Sequence, residues 1–290
     1  MVRATLVAVI DQDAARLFVQ LHGRLLDRRR LAHLLGEGPG TAVEAAVTAY
    51  ANADGGYAGL IEPDVRTLGS QPIAVLTAFE VLHEVGGPAP AAALDWLGTI
   101  TGDDGGIPFH LPAADGAPQA PWMQPDPASS LHMTAAVTAA ALRLGATGPW
   151  VEAASGFCRR ALDDAGDLSA HETVYGLAFL DAAGDTARLE SLGRRIPADG
   201  RLPVEGGTAD EHLGLLTLSP RPGRPLRRFV DDAAVDAALA ELEADQRPDG
   251  GWEPDWLAWS PTATTEWRAR LTVDALATLR AHERLEPTRR

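Results

Sequence analysis

The chain has no lysine, because all 25 of its Lys and Arg residues are arginine. Schiff-base catalysis and phosphate-binding P-loops both depend on a lysine, so both are excluded. Cysteine is almost as scarce: Cys158 is the only one, which excludes an intramolecular disulfide. A lone cysteine fits a reducing compartment, and we expect a cytoplasmic protein.

Long apolar runs are also missing, although 46% of the 290 residues are hydrophobic. No apolar stretch reaches the length of about 18 residues that a membrane-spanning helix needs. The segment Met1–Gly23 has only a short apolar patch, so we expect no signal peptide. Positive charge is in deficit, and a formal net charge of −15 argues against nucleic acid as a partner, because phosphate backbones bind clustered cations.

What the sequence has in abundance is Ala, Leu and Val at helical spacing, separated by loops rich in Gly, Pro and Asp. This pattern is typical of α-helices, and no long stretch alternates apolar and polar residues as a half-buried strand would. We therefore predict an all-α protein. The predicted helices cover 12–35 (with a break), 41–53, 70–85, 89–100, 128–145, 149–164, 169–183, 185–195, 208–218, 231–246 and 263–284.

Several of these helices have start signals in the sequence. A capping box is a Ser or Thr followed three residues later by Glu, and each partner satisfies a backbone N–H of the first turn. An acid or Ser directly before Pro also suits a helix start. The capping boxes and Pro starts are Thr41 with Glu44, Ser169 with Glu172, Thr208 with Glu211, Asp126-Pro127 and Ser260-Pro261.

A turn motif recurs along the chain. Asp54-Gly55-Gly56, Asp103-Asp104-Gly105-Gly106 and Asp249-Gly250-Gly251 each follow a predicted helix, and Asp199-Gly200 is a weaker copy. Glycine can adopt the positive φ that ends a helix, so each copy predicts a reversal between two helices. A helix pair cannot bury both of its faces alone and must stack on its neighbours. The sequence therefore predicts one domain, residues 1–290, built as an (α/α)₆ toroid with inner and outer helix rings.

The segment Gln246-Arg247-Pro248-Asp249-Gly250-Gly251-Trp252 resembles the QW motif of squalene–hopene and oxidosqualene cyclases. The resemblance implies a structural clip between neighbouring repeats of a toroid and a terpene-cyclase type of chemistry, a lyase or an isomerase. The other copies of the turn have Tyr57 or Ile107 in place of the Trp. The D-x-D-D acid motif of class II terpene cyclases is absent, and Asp231-Asp232-Ala-Ala-Val-Asp236 misses the metal-binding spacing of class I enzymes by one residue.

A second segment, His171-Glu172-Thr173-Val174-Tyr175-Gly176-Leu177, resembles part of the protein prenyltransferase β-subunits. The resemblance implies His171 as a zinc ligand and Asp126 near the place of a second ligand, but Ala128, Ser129 and Ser130 stand where that family has its cysteine. Zinc needs about four ligands, or three and a water. We therefore predict no cofactor, with zinc and magnesium both unsupported.

In a toroid the inner helices begin at one mouth of the ring, where their N-termini favour an anion. We predict inner helices that begin near 70, 128, 169, 208 and 263. Imidazole and carboxylate groups near these starts can transfer protons. The candidate catalytic residues are His132 with Asp126, His171, and His212 with Asp210.

Aromatic rings can wall an apolar pocket and arginines can hold an anion, so these residue types near the mouth are the candidates for substrate binding. They are Arg66, Trp122, Tyr175, Trp259, Trp267 and Arg270. Arg270 lies four residues after Glu266, a spacing that also suits a plain ion pair. The loops Glu62-Pro63-Asp64 and Glu253-Pro254-Asp255 are near-copies that add carboxylates.

Three functions fit these patterns. The first is a terpene-cyclase-like or prenyltransferase-like enzyme that binds a small hydrophobic or anionic, isoprenoid-like substrate in the central cavity. The second is an (α/α)₆ carbohydrate-active enzyme with two facing carboxylates. The third is a non-catalytic ligand-binding toroid. The lining of the cavity distinguishes them, and the oligomeric state stays open.

Overall fold

A computed structural model describes residues 10–197, 199–208, 211–218 and 221–285. No helix in these ranges is both long enough and apolar enough to cross a membrane. In chain order the elements are α1 (Gln12–His22), α2 (Leu25–Leu34), α3 (Gly40–Thr48), α4 (Pro72–Glu84), α5 (Ala91–Thr99), α6 (Leu131–Arg143), α7 (Pro149–Asp164), α8 (Ala170–Ala182), α9 (Thr186–Gly193), β1 (Leu202–Pro203), β2 (His212–Leu213), α10 (Leu215–Leu218), α11 (Asp232–Ala244) and α12 (Pro261–Ala281).

The protein is an α/α toroid, and burial separates its inner helices from its outer ones. In α6, ten of 13 residues are buried, as expected for a helix that is covered on almost every side. In α7, which follows it, only five of 16 residues are buried, so that helix covers the ring from outside. The same alternation makes α2, α4, α6, α8 and α12 the inner helices. We call the space between them the hub, and its two ends the N-terminal mouth, where these helices begin, and the C-terminal mouth.

Three Asp-Gly-Gly turns each place one outer helix against the next outer helix of the ring. After α5, Asp104 Oδ1 accepts hydrogen bonds from the Gly106 N–H (3.0 Å) and the Ser129 hydroxyl (2.7 Å). Gly105 has φ +88°, and a Cβ added there would lie 2.6 Å from the carbonyl oxygen of Ala153 in α7. The turn therefore fixes the distance between α5 and α7, and the turns after α3 and α11 repeat the arrangement against α5 and α1.

Gly105→Ala should destabilise the protein more than Gly116→Ala does. Both glycines have a positive φ, which costs an L-residue about 1–2 kcal/mol, but nothing lies within 4 Å of a Cβ at Gly116. Only Gly105→Ala also forces α7 away from the turn, so we expect it to cost at least about twice as much. Urea unfolding of the two variants measures the difference, and equal losses would show that the turn does not set the helix spacing.

The ring closes through Gln246, the first residue of the QW-like segment. Its amide nitrogen donates to the backbone oxygens of Asp11 (2.9 Å) and Gly250 (3.1 Å), and its amide oxygen accepts from the Asp11 N–H (2.8 Å). Asp11 in turn caps α1. Trp252 is buried, and its indole N–H donates to the Leu242 carbonyl (2.7 Å). The end of α11 is thereby tied to the first helix of the chain.

Several expected starts are confirmed. The break inside 12–35 lies at residues 23–24, Ser169 and Glu172 form a capping box, and Ser260 caps α12 with Pro261 in the first turn. Two others are wrong. α3 begins at Gly40 after Pro39 without a side-chain cap, and α6 begins five residues after Asp126, with Ser130 as its cap.

The predicted helix over 208–218 is also wrong. Leu202–Pro203 and His212–Leu213 pair as an antiparallel hairpin, and helix follows only over Leu215–Leu218. Gly206 has φ +77° in the turn, and Glu211 accepts from the Thr208 N–H (3.1 Å) to close that turn rather than to cap a helix. The prolines at 220 and 222 prevent the short apolar run from continuing as a helix.

Candidate functional site

The loop 62–66 at the N-terminal mouth gathers five of the six predicted substrate-binding residues. Asp64 is buried, and its two carboxylate oxygens accept from the indole N–H groups of Trp267 (2.9 Å) and Trp122 (3.1 Å). Burial raises the pKa of Asp64, and the two indole donors oppose this shift. The carboxylate is therefore a fixed anchor for the long loop that carries Trp122, whose ring stays 45% exposed.

The arginines at this mouth bind carboxylates. Arg66 pairs with Glu266 (2.9 Å) and lies over the ring of Trp259, with 6.0 Å between the guanidinium carbon and the ring centroid. The Trp259 indole donates to the Pro63 carbonyl (3.3 Å). Arg268, two residues before Arg270 on α12, pairs with Asp249 (2.8 Å). The contacts of Arg66 and Trp259 bind the 62–66 loop to α12. The positive charges of these arginines are already paired with carboxylates, so they are not available to bind an anionic substrate.

Deeper in the hub, Arg270 joins three helices and the loop. Its guanidinium binds Glu62 at 2.7 Å, Glu80 of α4 at 3.4 Å and Asp274 one turn along α12 at 3.8 Å. Arg30 of α2 continues this network through Asp274 at 2.6 Å. The centre of the hub is therefore charged on the side of α2, α4 and α12.

The opposite side of the hub, formed by α6 and α8, is aromatic. The His132 ring stacks on His171 and Tyr175 with centroids 4.9 Å apart in both cases, and it packs at a tilt against Phe109 at 5.3 Å. Burial and the neighbouring His171 lower the pKa of His132 to about 3, so its ring is neutral near pH 7. Burial also lowers the pKa of His171 and raises that of Tyr175.

Acid should destabilise the fold through His132. Its pKa in the folded protein is about 3, below the ordinary 6.5, so only the unfolded chain takes up the proton between these values. Stability is thus complete above pH 6.5 and falls as the pH drops, by at most about 1.4 kcal/mol per pH unit from this group. Urea unfolding between pH 4 and 7 should show a shallower loss for His132→Gln, and the same slope as wild type for the exposed His22→Gln.

Glu80 is the functional candidate that the sequence reasoning missed. It lies in mid-α4 and faces Arg270 across the hub, and 38% of its side chain remains accessible. Burial raises the pKa of Glu80 to about 7. The neighbouring carboxylates Asp274 and Glu62 raise this pKa as well, and the cations Arg270 and Arg143 lower it. Burial raises the pKa of Tyr175 most, and Glu80 is the charged group that raises it most after burial, so the Glu80 carboxyl acts on the aromatic side of the hub.

A signal for Glu80 was present in the sequence. It is the only charged residue between Pro72 and Leu82. Burying a carboxyl in such an apolar run costs free energy unless the group has a partner, so its presence there indicates a role in the site. Helix N-termini favour anions, so anion-binding logic points to the first turns of the inner helices and not to the middle of α4, where Glu80 lies.

Two further predicted catalytic residues, Asp126 and His212, lie outside the inner helices. Asp126 is exposed on the loop before α6, where its Oδ1 accepts from the Ala128 N–H (2.9 Å). His212 lies in β2, and its charge acts to lower the pKa of Asp255, which burial raises. Asp210 lies outside the described residues, so the pairing of Asp210 with His212 stays a prediction.

Potential metal ligands do not cluster among the described residues. Within the described ranges, no three His, Cys, Asp or Glu side chains are grouped so that they could hold a metal ion. His171 stacks on His132 ring to ring, and Cys158 is buried on the outer helix α7.

Comparison with solved structures decides the fold class. The type II terpene cyclase MstE from Scytonema, solved with its substrate geranylgeranyl dihydroxybenzoate, has a TM-score of 0.55 at 13% identity, over 94% of this chain and 96% of its own. The chain has a terpene-cyclase-like fold. A protein from Actinoplanes matches with a TM-score of 0.54 at 17% identity, over 93% of this chain and 98% of its own. No family model and no curated protein matches the sequence.

Proposed function

We propose that the chain binds a hydrophobic, isoprenoid-like substrate in the hub and converts it by proton transfer, as a cyclase or isomerase. The observation that carries the proposal is the position of Glu80, a carboxyl beside an aromatic stack inside the ring. The similar structure of MstE supports the substrate class, because that protein is described with a geranylgeranyl substrate. Similarity of fold alone is a weak argument for function, so the chemistry must come from the residues.

Glu80 has the properties of a general acid. With a pKa of about 7, a large fraction of the carboxyl is protonated near neutral pH, which is the range where acid catalysis is efficient. Proton transfer from its O–H to an alkene carbon forms a C–H bond, breaks the π bond and leaves a tertiary carbocation. The new Glu80 carboxylate then faces Arg270 at 3.4 Å, which stabilises it.

The aromatic stack suits the cationic stage of such a reaction. Attack of a neighbouring alkene on the cation forms the ring bond, and aromatic faces attract the positive charge that moves along the chain. The neutral imidazole of His171 can accept the proton that is finally lost, and exchange with solvent returns a proton to Glu80. The product is an isomer of the substrate, so mass is conserved.

The carbohydrate-active alternative has less support. Three of the four carboxylates on the two loops are engaged in the fold: Glu62 pairs with Arg270, and Glu253 with Arg247 (2.8 Å). Asp64 is held by two indoles. A glycosidase needs one carboxyl free to protonate and a second facing it.

Incubation with prenyl substrates tests the proposal. Farnesyl and geranylgeranyl diphosphate and a geranylgeranylated aromatic acid should be supplied separately, and the products analysed by gas chromatography with mass spectrometry. We expect a product of unchanged mass with fewer alkene protons in its NMR spectrum. If no substrate is converted and geranylgeraniol does not bind, the proposal fails.

A further inference from the structure

Basic side chains converge at the C-terminal mouth, opposite to the end where the sequence led us to expect an anion. Arg143 is the last residue of α6, and His83 lies in the last turn of α4. Arg221 and Arg224 follow from the loop after α10, and Arg224 pairs with Asp181 of α8. Because α4, α6 and α8 are neighbours that end at the same side, these groups surround one opening.

Arg143 differs from the arginines of the N-terminal mouth in its pairing. Arg66, Arg268 and Arg270 all bind carboxylates there. Within the described part of the chain, no hydrogen bond or ion pair is formed by the half-buried guanidinium of Arg143. Burial and the nearby Arg224 lower the pKa of Arg143, as expected of a cation that is crowded by other cations and lacks a bound acid.

We infer that Arg143, with Arg224 and His83 beside it, binds the phosphate or diphosphate head group of the substrate at the C-terminal mouth. This rests on the proposed function and names the polar end of its substrate. Guanidinium groups match phosphate oxygens with paired, charge-assisted hydrogen bonds. The head group supplies the acid partner that Arg143 lacks.

The negative groups around this opening do not cancel its charge. Asp181 already neutralises Arg224, and Glu84 is bound by Arg30 at 2.5 Å. Glu80 is partly protonated near neutral pH. The C-terminal ends of the inner helices add partial negative charge, but this amounts to about half a unit each and falls off within one turn. The charge of Arg143 therefore remains without a neutralising acid among the described residues.

The length of α6 agrees with one molecule that reaches both ends of the site. Arg143 lies eleven residues after His132, or about 16 Å along the helix axis. An extended isoprenoid chain of several units spans this distance, with its head at Arg143 and its tail against the His132 stack. Glu80 lies between, where it can reach an alkene of the tail.

Isothermal titration calorimetry tests the head-group site. The probes are inorganic pyrophosphate, geranylgeranyl diphosphate and uncharged geranylgeraniol, with wild type, Arg143→Gln, Arg143→Lys and the control Arg280→Gln. Arg280 is exposed in the last turn of α12, so Arg280→Gln removes the same charge from a similar position at the end of a helix. We expect Arg143→Gln to raise the Kd of both diphosphates by about tenfold or more. Arg143→Lys should raise it less, and Arg280→Gln should leave it unchanged.

The three probes separate this inference from the proposed function. Geranylgeraniol should bind wild type and Arg143→Gln equally, since it needs only the hub. If geranylgeranyl diphosphate binds no more tightly than pyrophosphate, the site holds a free anion and the head-group assignment is wrong. Equal diphosphate binding by Arg143→Gln and wild type overturns the inference even where geranylgeraniol binds. If wild type does not bind geranylgeraniol, the result counts against the proposed function instead.

Discussion

Glu80→Gln should abolish turnover and leave substrate binding nearly intact. The amide has the size of the carboxyl but cannot donate a proton, and loss of a general acid lowers the rate by about 10²–10⁴-fold. Binding depends on the aromatic side of the hub and is expected to persist. The decisive measurement is the split between kcat, which should fall, and the Kd for geranylgeraniol, which should stay within about twofold.

The pH profile of wild type gives a second readout of the same group. An acid must be protonated to act, so the rate should be constant below the pKa of about 7 and decline tenfold per unit above it. Glu190→Gln is the matched control, because Glu190 lies exposed on the outer helix α9 and pairs only with Arg228 in the described residues. A Glu80→Gln variant that keeps its turnover, or a rate that rises above pH 7, would refute the assignment.

The fold could be predicted from local chemistry. Asp-Gly-Gly turns follow helices in this chain, since glycine accepts the positive φ without steric cost, and their spacing repeats with the helix pairs. The prediction failed over 208–218 because a helix needs several uninterrupted turns. Gly214 and the prolines at 220 and 222 flank Leu215–Leu218 and leave only these four residues for one, which no capping pattern at Thr208 could change.

The site was predictable in part, for a different reason. Trp122, Trp259 and Trp267 were chosen as aromatics near a mouth, and the structure brings them to the 62–66 loop through their indole N–H groups. A buried indole needs an acceptor, so their convergence on a loop of carboxylate and carbonyl oxygens follows from chemistry. The role of Arg270 did not follow, because its partners Glu62 and Glu80 lie about 200 residues away in sequence.

Arg270→Met should be among the most destabilising single changes in the chain. Arg270 is 17% exposed and its partner Glu62 is 5% exposed, so removing the guanidinium leaves a carboxylate without its cation in the protein interior. Breaking one side of a buried ion pair costs about 3–5 kcal/mol. Met keeps much of the side-chain volume, so the loss reports charge rather than a cavity. Urea unfolding at pH 7 measures it.

The contrast with Arg188→Met isolates the effect of burial. Arg188 also pairs with two carboxylates, Asp163 (2.7 Å) and Asp185 (3.0 Å), but these groups are near the surface, where ion pairs contribute about 0–1 kcal/mol. The defect of Arg270→Met should also shrink as the pH falls. Arg270 holds down the pKa of Glu80, which burial raises to about 7. Without the guanidinium that pKa rises further above its unfolded value, so the folded protein binds the proton more tightly and gains stability at acidic pH. Arg270→Met combined with Glu62→Gln should recover part of the loss at pH 7. A defect no larger than that of Arg188→Met, or one that grows with acidity, would show that the hub network does not hold α4 and α12 together.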